Sequence, residues 1–219
     1  MKVLLSPSKE MNLEGLEDRE HDTHFRVSDN VLDYIKSVPQ EDCFDAFKTK
    51  EDIYEQNQAI GLKSKPALLL FDGIAFRQLK KDDLSKYKDL CILNSLYGLS
   101  YATDYISPFR FDYTMKHSKD FIKEIYELIN ETLASEDIIY NLASNEFGSR
   151  IKHDNLIEFD FIHYKNNQEK RVSVDAKKMR GSLAEYICSG NLDFKNFKGH
   201  DYVYNEALSN DKIIVFTKE

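Results

Sequence analysis

The stretch Lys2-Val3-Leu4-Leu5-Ser6-Pro7-Ser8-Lys9 decides how the chain is read. Val3, Leu4 and Leu5 form a short apolar run, and it stops where Pro7 withholds a backbone donor and restricts Ser6 before it. The pattern predicts a buried strand that opens the chain and carries Ser6, Ser8 and Lys9 at its carboxyl end. Open α/β sheets place ligands at such ends, so this loop reads either as a tight turn capped by Ser6 or as a seat for a phosphate or another anion. No Gly-rich phosphate loop of a standard type accompanies it.

Working outward, the runs at 67–71 and 90–93 are short and apolar, and turn-forming pairs, Asp72-Gly73 and Asn94-Ser95, close them. Both are expected as strands, although periodicity does not separate strand from helix in runs this short. Residues 138–142, 156–164 and 171–175 read as further strands, the last two joined by a polar turn at 165–168. Ser28 is placed to cap a helix with Val31, Leu32 and Ile35 on its apolar face. Short helices are expected at 41–48 and at 51–60, the second closed by Gly61. Phe121, Ile125, Leu128, Ile129 and Leu133 recur at helical spacing behind Ser118. Another helix is expected at 176–188, ended by Gly190, and a closing hairpin from 202–208 and 212–217. Residues 12–25 are charged and aperiodic and read as a mobile surface segment. Without a linker, repeat or low-complexity tract, the expectation is one mixed α/β domain over 1–219, with a central mixed sheet flanked by helices.

Composition narrows the function classes. The 219 residues carry 30 Lys and Arg against 38 Asp and Glu, a formal net charge of −8, which excludes a uniformly basic nucleic-acid coat. Thirteen Tyr and 14 Phe supply a sizeable core. No run approaches the ~18 apolar residues of a membrane span and no long apolar segment follows Lys2, so no membrane association and a cytoplasmic setting are expected. Cys43, Cys91 and Cys188 are odd in number and far apart, and are expected as free, mostly buried thiols. Six histidines form no HExxH or HxH pattern and no GxSxG elbow occurs, so neither a metal nor another cofactor is indicated.

Three more loops carry polar residues beyond the needs of a connector. In Asn94-Ser95-Leu96-Tyr97-Gly98, continuing to Pro108-Phe109-Arg110-Phe111, Gly98 permits a positive φ and close backbone approach to an anion; alternatively this is an ordinary turn beside a half-buried Tyr97. In Asn141-Leu142-Ala143-Ser144-Asn145-Glu146, Ser144 or Asn145 caps a short helix, or Glu146 serves as a base. In Asp175-Ala176-Lys177-Lys178-Met179-Arg180-Gly181, three cations fall near an expected helix start, where they oppose the dipole unless an anion or nearby carboxylates relieve them. Lys63/Lys65, Lys80/Lys81 and Lys195/Lys198/His200 read as surface charge that could extend a positive cleft.

Taken in order, these strings resemble the peroxide stress protein YaaA family of bacteria. Leu5-Ser6-Pro7-Ser8-Lys9 is similar to its opening Ser-Pro-(Ala/Ser)-Lys signature, and Leu93-Asn94-Ser95-Leu96-Tyr97-Gly98 to its Leu-Ser-Gly-Leu-Tyr-Gly. Pro108-Phe109-Arg110-Phe111-Asp112-Tyr113 is similar to Pro-Tyr-Arg-Leu-Glu-Met, while residues 141–147 and 176–181 match Asn-Leu-Ala-Ser-Asp/Asn-Glu-Tyr/Phe and Ala-Lys-Lys-Ala-Arg-Gly. Ser95 stands in place of the first Gly of the family turn, Tyr101-Ala102 in place of Arg-Pro, and the segment after Arg110 is shorter than usual.

The resemblance implies an intracellular α/β protein with a positively charged cleft and a helix-hairpin-helix-like DNA-binding element. It also implies a role in the hydrogen peroxide response that limits free iron. On it, Ser6, Lys9, Tyr97, Gly98, Arg110, Ser144, Lys177, Lys178 and Arg180 are the expected anion or nucleic-acid contacts. The partner that the resemblance implies is DNA, duplex or branched, gripped without sequence preference. The alternative is an enzyme acting on a nucleotide, nucleobase or similar phosphorylated small molecule in the same cleft, with Glu146 as candidate acid or base. Ferrous-iron binding by carboxylates with His21 and His24 is a third possibility, without a recognisable ligand set.

Overall fold

The computed structural model describes residues 1–25, 28–49, 52–113, 115, 119–166 and 168–219. Strand β1 (Lys2–Leu5) lies in the middle of a nine-stranded mixed sheet. It pairs in parallel with β3 (Leu90–Asn94) on one side and β6 (Ile139–Asn141) on the other, so that Val3 sits between Leu90 and Tyr140. Val3, Leu4, Leu5 and all five residues of β3 are buried, as expected for a parallel sheet covered on both faces. Beyond β3 the sheet ends in antiparallel β4 (Gly98–Tyr101). Beyond β6 it continues through parallel β7 (Leu156–Lys165) and β11 (Ile213–Lys218), then antiparallel β10 (Tyr202–Tyr204) and β9 (Lys198–Gly199). The expected closing hairpin is thus present, and its second strand joins it to the main sheet. A separate pair, β2 (Lys65–Pro66) and β5 (Tyr105–Ile106), runs antiparallel.

The expected helices form with adjusted ends. Ser28 Oγ accepts from the Val31 amide and caps α1 (Asp29–Ser37), which buries Val31 and Ile35. Helices α2 (Cys43–Ala46) and α3 (Tyr54–Gln58) occupy parts of the expected spans, and Gly61 follows at φ +89°. In α5 (Lys119–Leu133), Ile125, Ile129 and Leu133 turn inward and Leu128 faces solvent; its expected cap, Ser118, lies outside the described residues. Short α6 (Asn145–Gly148) follows β6.

Three expectations are corrected. The 67–71 run forms helix α4 (Ala67–Leu70), not a strand. Its Ala and Leu residues are strong helix formers, it is buried nearly all round, and the Ala67 and Leu68 amides donate to the Asp104 and Ala102 carbonyls. The 171–175 segment is not a strand either. The strand paired with the end of β7 is β8 (Gln168–Lys170), and Ser173 already begins α7 (Ser173–Cys188). The alternation of Val172/Val174 with Ser173/Asp175 is therefore a helix entry, and Val174 is exposed. Finally, residues 12–25 form a strap held from outside. Isolated bridges join Met11 to Phe71, Glu17 to Ser64 and Asp22 to Tyr105; Ser64 Oγ donates to the Arg19 carbonyl and the buried Lys65 ammonium to that of Glu14. His24 Nδ1 meets the buried Asp104 carboxylate.

Among the described residues, no helix is long and apolar enough to cross a membrane. Cys43 and Cys91 are buried, Cys188 is partly so, and all three are free.

Candidate functional site

The strand order creates one crevice where ligands are favoured. From β1 the chain passes to β3 on one side, and from β6 it passes to β7 on the other, so connections diverge between β1 and β6. The carboxyl ends of two such strands leave a gap that neither connection fills. A cavity of about 390 Å³ lies there. The loops after β1, β3 and β6 supply Ser6–Lys9, Asn94–Ser95 and Leu142, Ser144 and Glu146, while residues 109–112 and 73–76 form the other walls.

Helix α7 completes the lining. Met179, Leu183, Ala184 and Ile187 bury its apolar side, and Gly181 lets it approach the 73–76 segment; a Cβ there would run into the Ala75 carbonyl oxygen. One turn places Lys177 and Arg180 together over the cavity. Lys178 lies about 100° round the helix from Lys177 and is not in the lining. Because α7 begins at Ser173, these cations occupy its second turn rather than the helix start, where the dipole has largely faded. Asp175, in the first turn, pairs with Lys218 at 2.6 Å.

The site is held rigid by hydrogen bonds that need long-range partners. Ser6 Oγ accepts from the Ser144 amide at 2.8 Å and lies 3.1 Å from Ser144 Oγ. Ser144 stands at the N-cap position of α6, yet its hydroxyl makes no cap bond and turns to Ser6 instead. Ser95 Oγ donates to the Phe111 carbonyl, Tyr113 to that of Asn94 at 3.2 Å, and Tyr126 to that of Phe147 at 2.6 Å. Burial, foremost, lifts the Tyr126 phenol to about 12, so it remains a neutral donor near pH 7.

Charge in the lining is unequally satisfied. Lys9 pairs with Asp112 at 3.0 Å, and Glu10 with Arg77 at 2.5 Å. Arg180 lies with its guanidinium carbon 5.8 Å from the Phe161 ring centroid, and among the described residues no carboxylate lies within 4 Å of it. Burial, the largest influence, lowers its pKa against the pull of Asp160, but a guanidinium keeps its charge near pH 7. Arg110 holds Nε buried with no acceptor among the described residues. A buried donor of this kind costs about 1–3 kcal/mol. Exposed Glu146 has no ion-pair partner among the described residues.

The structure brings together Ser6, Lys9, Arg110, Ser144, Glu146, Lys177 and Arg180, and puts Tyr97, Gly98 and Lys178 elsewhere. Tyr97 is buried, its oxygen accepting from the Ser107 amide at 3.0 Å, and burial raises its pKa to about 12. Gly98 has φ +63°, and the close approach that its missing side chain permits is taken by the Phe25 ring. The 94–98 segment joins antiparallel β3 and β4, so the expected helix-hairpin-helix-like element does not reside in it. The other small basic groups do not extend the lining: Lys65 is under the strap, Lys81 donates to the Phe71 carbonyl, and Lys195 pairs with Glu206.

Sequence reasoning missed the 73–76 wall and Asp112. Asp72-Gly73 was legible only as punctuation, although a Cβ on Gly73 would strike Ser8 Oγ, a contact that marks close approach of the two loops. Among the described residues, no group of three or more His, Cys, Asp or Glu could hold a metal ion.

The family model described as peroxide stress protein YaaA matches residues 1–208. The chain belongs to the peroxide stress protein YaaA family. A UPF0246 protein of Fusobacterium nucleatum is 29% identical over 249 aligned positions, covering 100% of this chain and 99% of the relative. UPF0246 proteins of Desulfitobacterium hafniense and Streptococcus gordonii are each 27% identical over 246 positions and again cover the whole chain. These alignments exceed 219 positions, so the YaaA relatives carry segments that this shorter member lacks.

Proposed function

We propose that this member of the YaaA family binds nucleic-acid phosphates, without sequence preference, at the cation-lined crevice between β1 and β6, and acts in the cytoplasm as one 1–219 domain. The observation that carries the reading is that Lys9, Arg110, Lys177 and Arg180, contributed by three distant parts of the chain, line one concavity. The whole chain carries a net charge of −8, so most of its surface repels polyanions and attraction depends on a local grouping of cations such as this one. Binding of duplex or branched DNA is therefore expected to be modest in strength and steeply salt-dependent. Protection of DNA from iron and hydrogen peroxide would follow from occupancy of the strand; the family description supports the peroxide-stress part of this reading.

A salt titration with duplex, branched and single-stranded DNA tests this. Affinity that falls with salt and is reduced by Arg180→Gln supports it; affinity indifferent to salt, or unchanged by Arg180→Gln combined with Lys177→Glu, overturns it.

Catalysis on a nucleotide or nucleobase is a second reading, favoured by the presence of Glu146 and the Ser6/Ser144 hydroxyls in the same cavity. Glu146 would act as acid or base and the hydroxyls as orienting groups. Product analysis after incubation with nucleotides tests it, and no turnover of any would defeat it.

A further inference from the structure

We propose that the β1/β6 cavity takes a single unstacked nucleotide unit, its base against the phenylalanine walls and its phosphate against Arg110 and Arg180. This rests on the phosphate-binding reading above and names the ligand. A duplex does not enter a space of about 390 Å³; a mononucleotide-sized group does. Gripping the outside of a helix requires only surface cations, whereas this cavity also has apolar walls, to which Phe109, Phe111 and Phe147 contribute the small part of their surface that stays exposed. Apolar walls accept the body of any base without regard to its sequence identity.

The polar groups are matched to the remaining parts of a nucleotide. Ser6 and Ser144 share one hydrogen bond between their hydroxyls, and Ser6 Oγ also accepts the Ser144 amide. Whichever hydroxyl donates to the other, one O–H stays without an acceptor inside the pair and points the site toward an acceptor-rich ligand. Arg110, half-buried in the lining, adds a guanidinium, and Arg180 another without a carboxylate within 4 Å among the described residues. Phosphate oxygens answer all three. Glu146 distinguishes a nucleotide from a bare anion, because a carboxylate with no ion-pair partner among the described residues repels phosphate but accepts the N–H groups of a base edge.

The unit has two sources, a free nucleotide or one extruded from a strand. Extrusion costs a few kcal/mol from a paired site and least from an unpaired one. Fluorescence anisotropy with the full chain would compare a paired duplex with the same duplex carrying one unpaired 2-aminopurine, alongside thermal shift with nucleoside monophosphates. The expected result is about tenfold tighter binding of the unpaired site, with increased 2-aminopurine emission. Ser144→Phe, which fills the cavity, should abolish that preference. Glu146→Gln at an exposed position should change the ranking of the bases without altering the melting temperature. Stabilisation by a nucleoside monophosphate without any strand binding would retain the ligand class, assign the free nucleotide as its source and remove the phosphate-backbone reading. Equal affinity for paired and unpaired duplexes, with no nucleotide shift, would overturn the inference while salt-dependent duplex binding left that reading standing. Absence of both strand binding and nucleotide shift would overturn the two together.

Discussion

Ser6 and Ser144, 138 residues apart in sequence, place their hydroxyl oxygens 3.1 Å apart at the carboxyl ends of two adjacent parallel strands. The contact joins the loops on either side of the crevice, and its two hydrogen bonds have different consequences when broken.

Ser6→Ala leaves the Ser144 amide without its acceptor, whereas Ser144→Ala removes only a hydroxyl from a pair. The expected losses are about 1–2 kcal/mol for the first and under about 1 kcal/mol for the second. Urea denaturation of the two variants checks the order, and the double variant should cost less than the sum because the residues share one interaction.

Gly181→Ala should destabilise the protein although it replaces glycine inside a helix. At an open helical position that change gains about 1 kcal/mol. Here the added Cβ meets the Ala75 backbone carbonyl, which has no rotamer by which to move away. A loss of roughly 1–3 kcal/mol is expected, with a melting temperature below that of the parent.

The three cations of α7 should separate in a salt titration of DNA binding. Arg180→Gln and Lys177→Glu are each expected to weaken affinity and to reduce the slope of log K against log salt by about 0.9 for every phosphate no longer neutralised. Lys178→Glu should change the slope by less, since Lys178 is outside the cavity lining. Equal effects at Lys177 and Lys178 would place the DNA on the outer face of the helix instead.

Glu185 predicts an acid-labile junction between α7 and the segment before β3. Burial alone would raise its pKa, but hydrogen bonds from Lys86, at 2.6 Å, from the Tyr87 hydroxyl and from the Lys80 amide outweigh burial and hold it below the ordinary value. A carboxylate depressed in the folded state contributes stability that is fully present above its unfolded pKa of about 4.3 and is lost as pH falls through the lower folded value. Melting temperature should therefore decline below about pH 4, and Glu185→Gln should flatten that decline while lowering stability at neutral pH.

Much of the sheet was legible because β1, β3 and β6 are apolar runs ended by Ser-Pro, Asn-Ser and Asn-Leu-Ala-Ser, and helix α5 because Ile125, Ile129 and Leu133 keep a helical period. The cavity cations were visible as types, but not which of them converge: neighbours Lys177 and Lys178 differ only in their angle round a helix whose start lay three residues earlier than the pattern indicated. Helix α4 was hidden because a turn of helix buried on all sides has the same composition as a central strand. The strap over residues 12–25 looked mobile because its partners, Ser64, Lys65, Asp104 and Tyr105, lie some 40 to 80 positions away. Tyr97 and Gly98 fitted a phosphate turn until Phe25, brought in by that strap, filled the space beside them.

The position of β1 sets the order in which the molecule can be completed. As a ribosome extends the chain, Val3 leaves long before Leu90 and Tyr140 exist, so β1 waits with both hydrogen-bonding edges vacant until its partners are made. Pairing across such separations is slow to form, and an open strand invites wrong partners. The crevice comes into being only when β6 and the loop holding Ser144 emerge, so a chain interrupted before that point carries Ser6 and Lys9 but no site for them to serve.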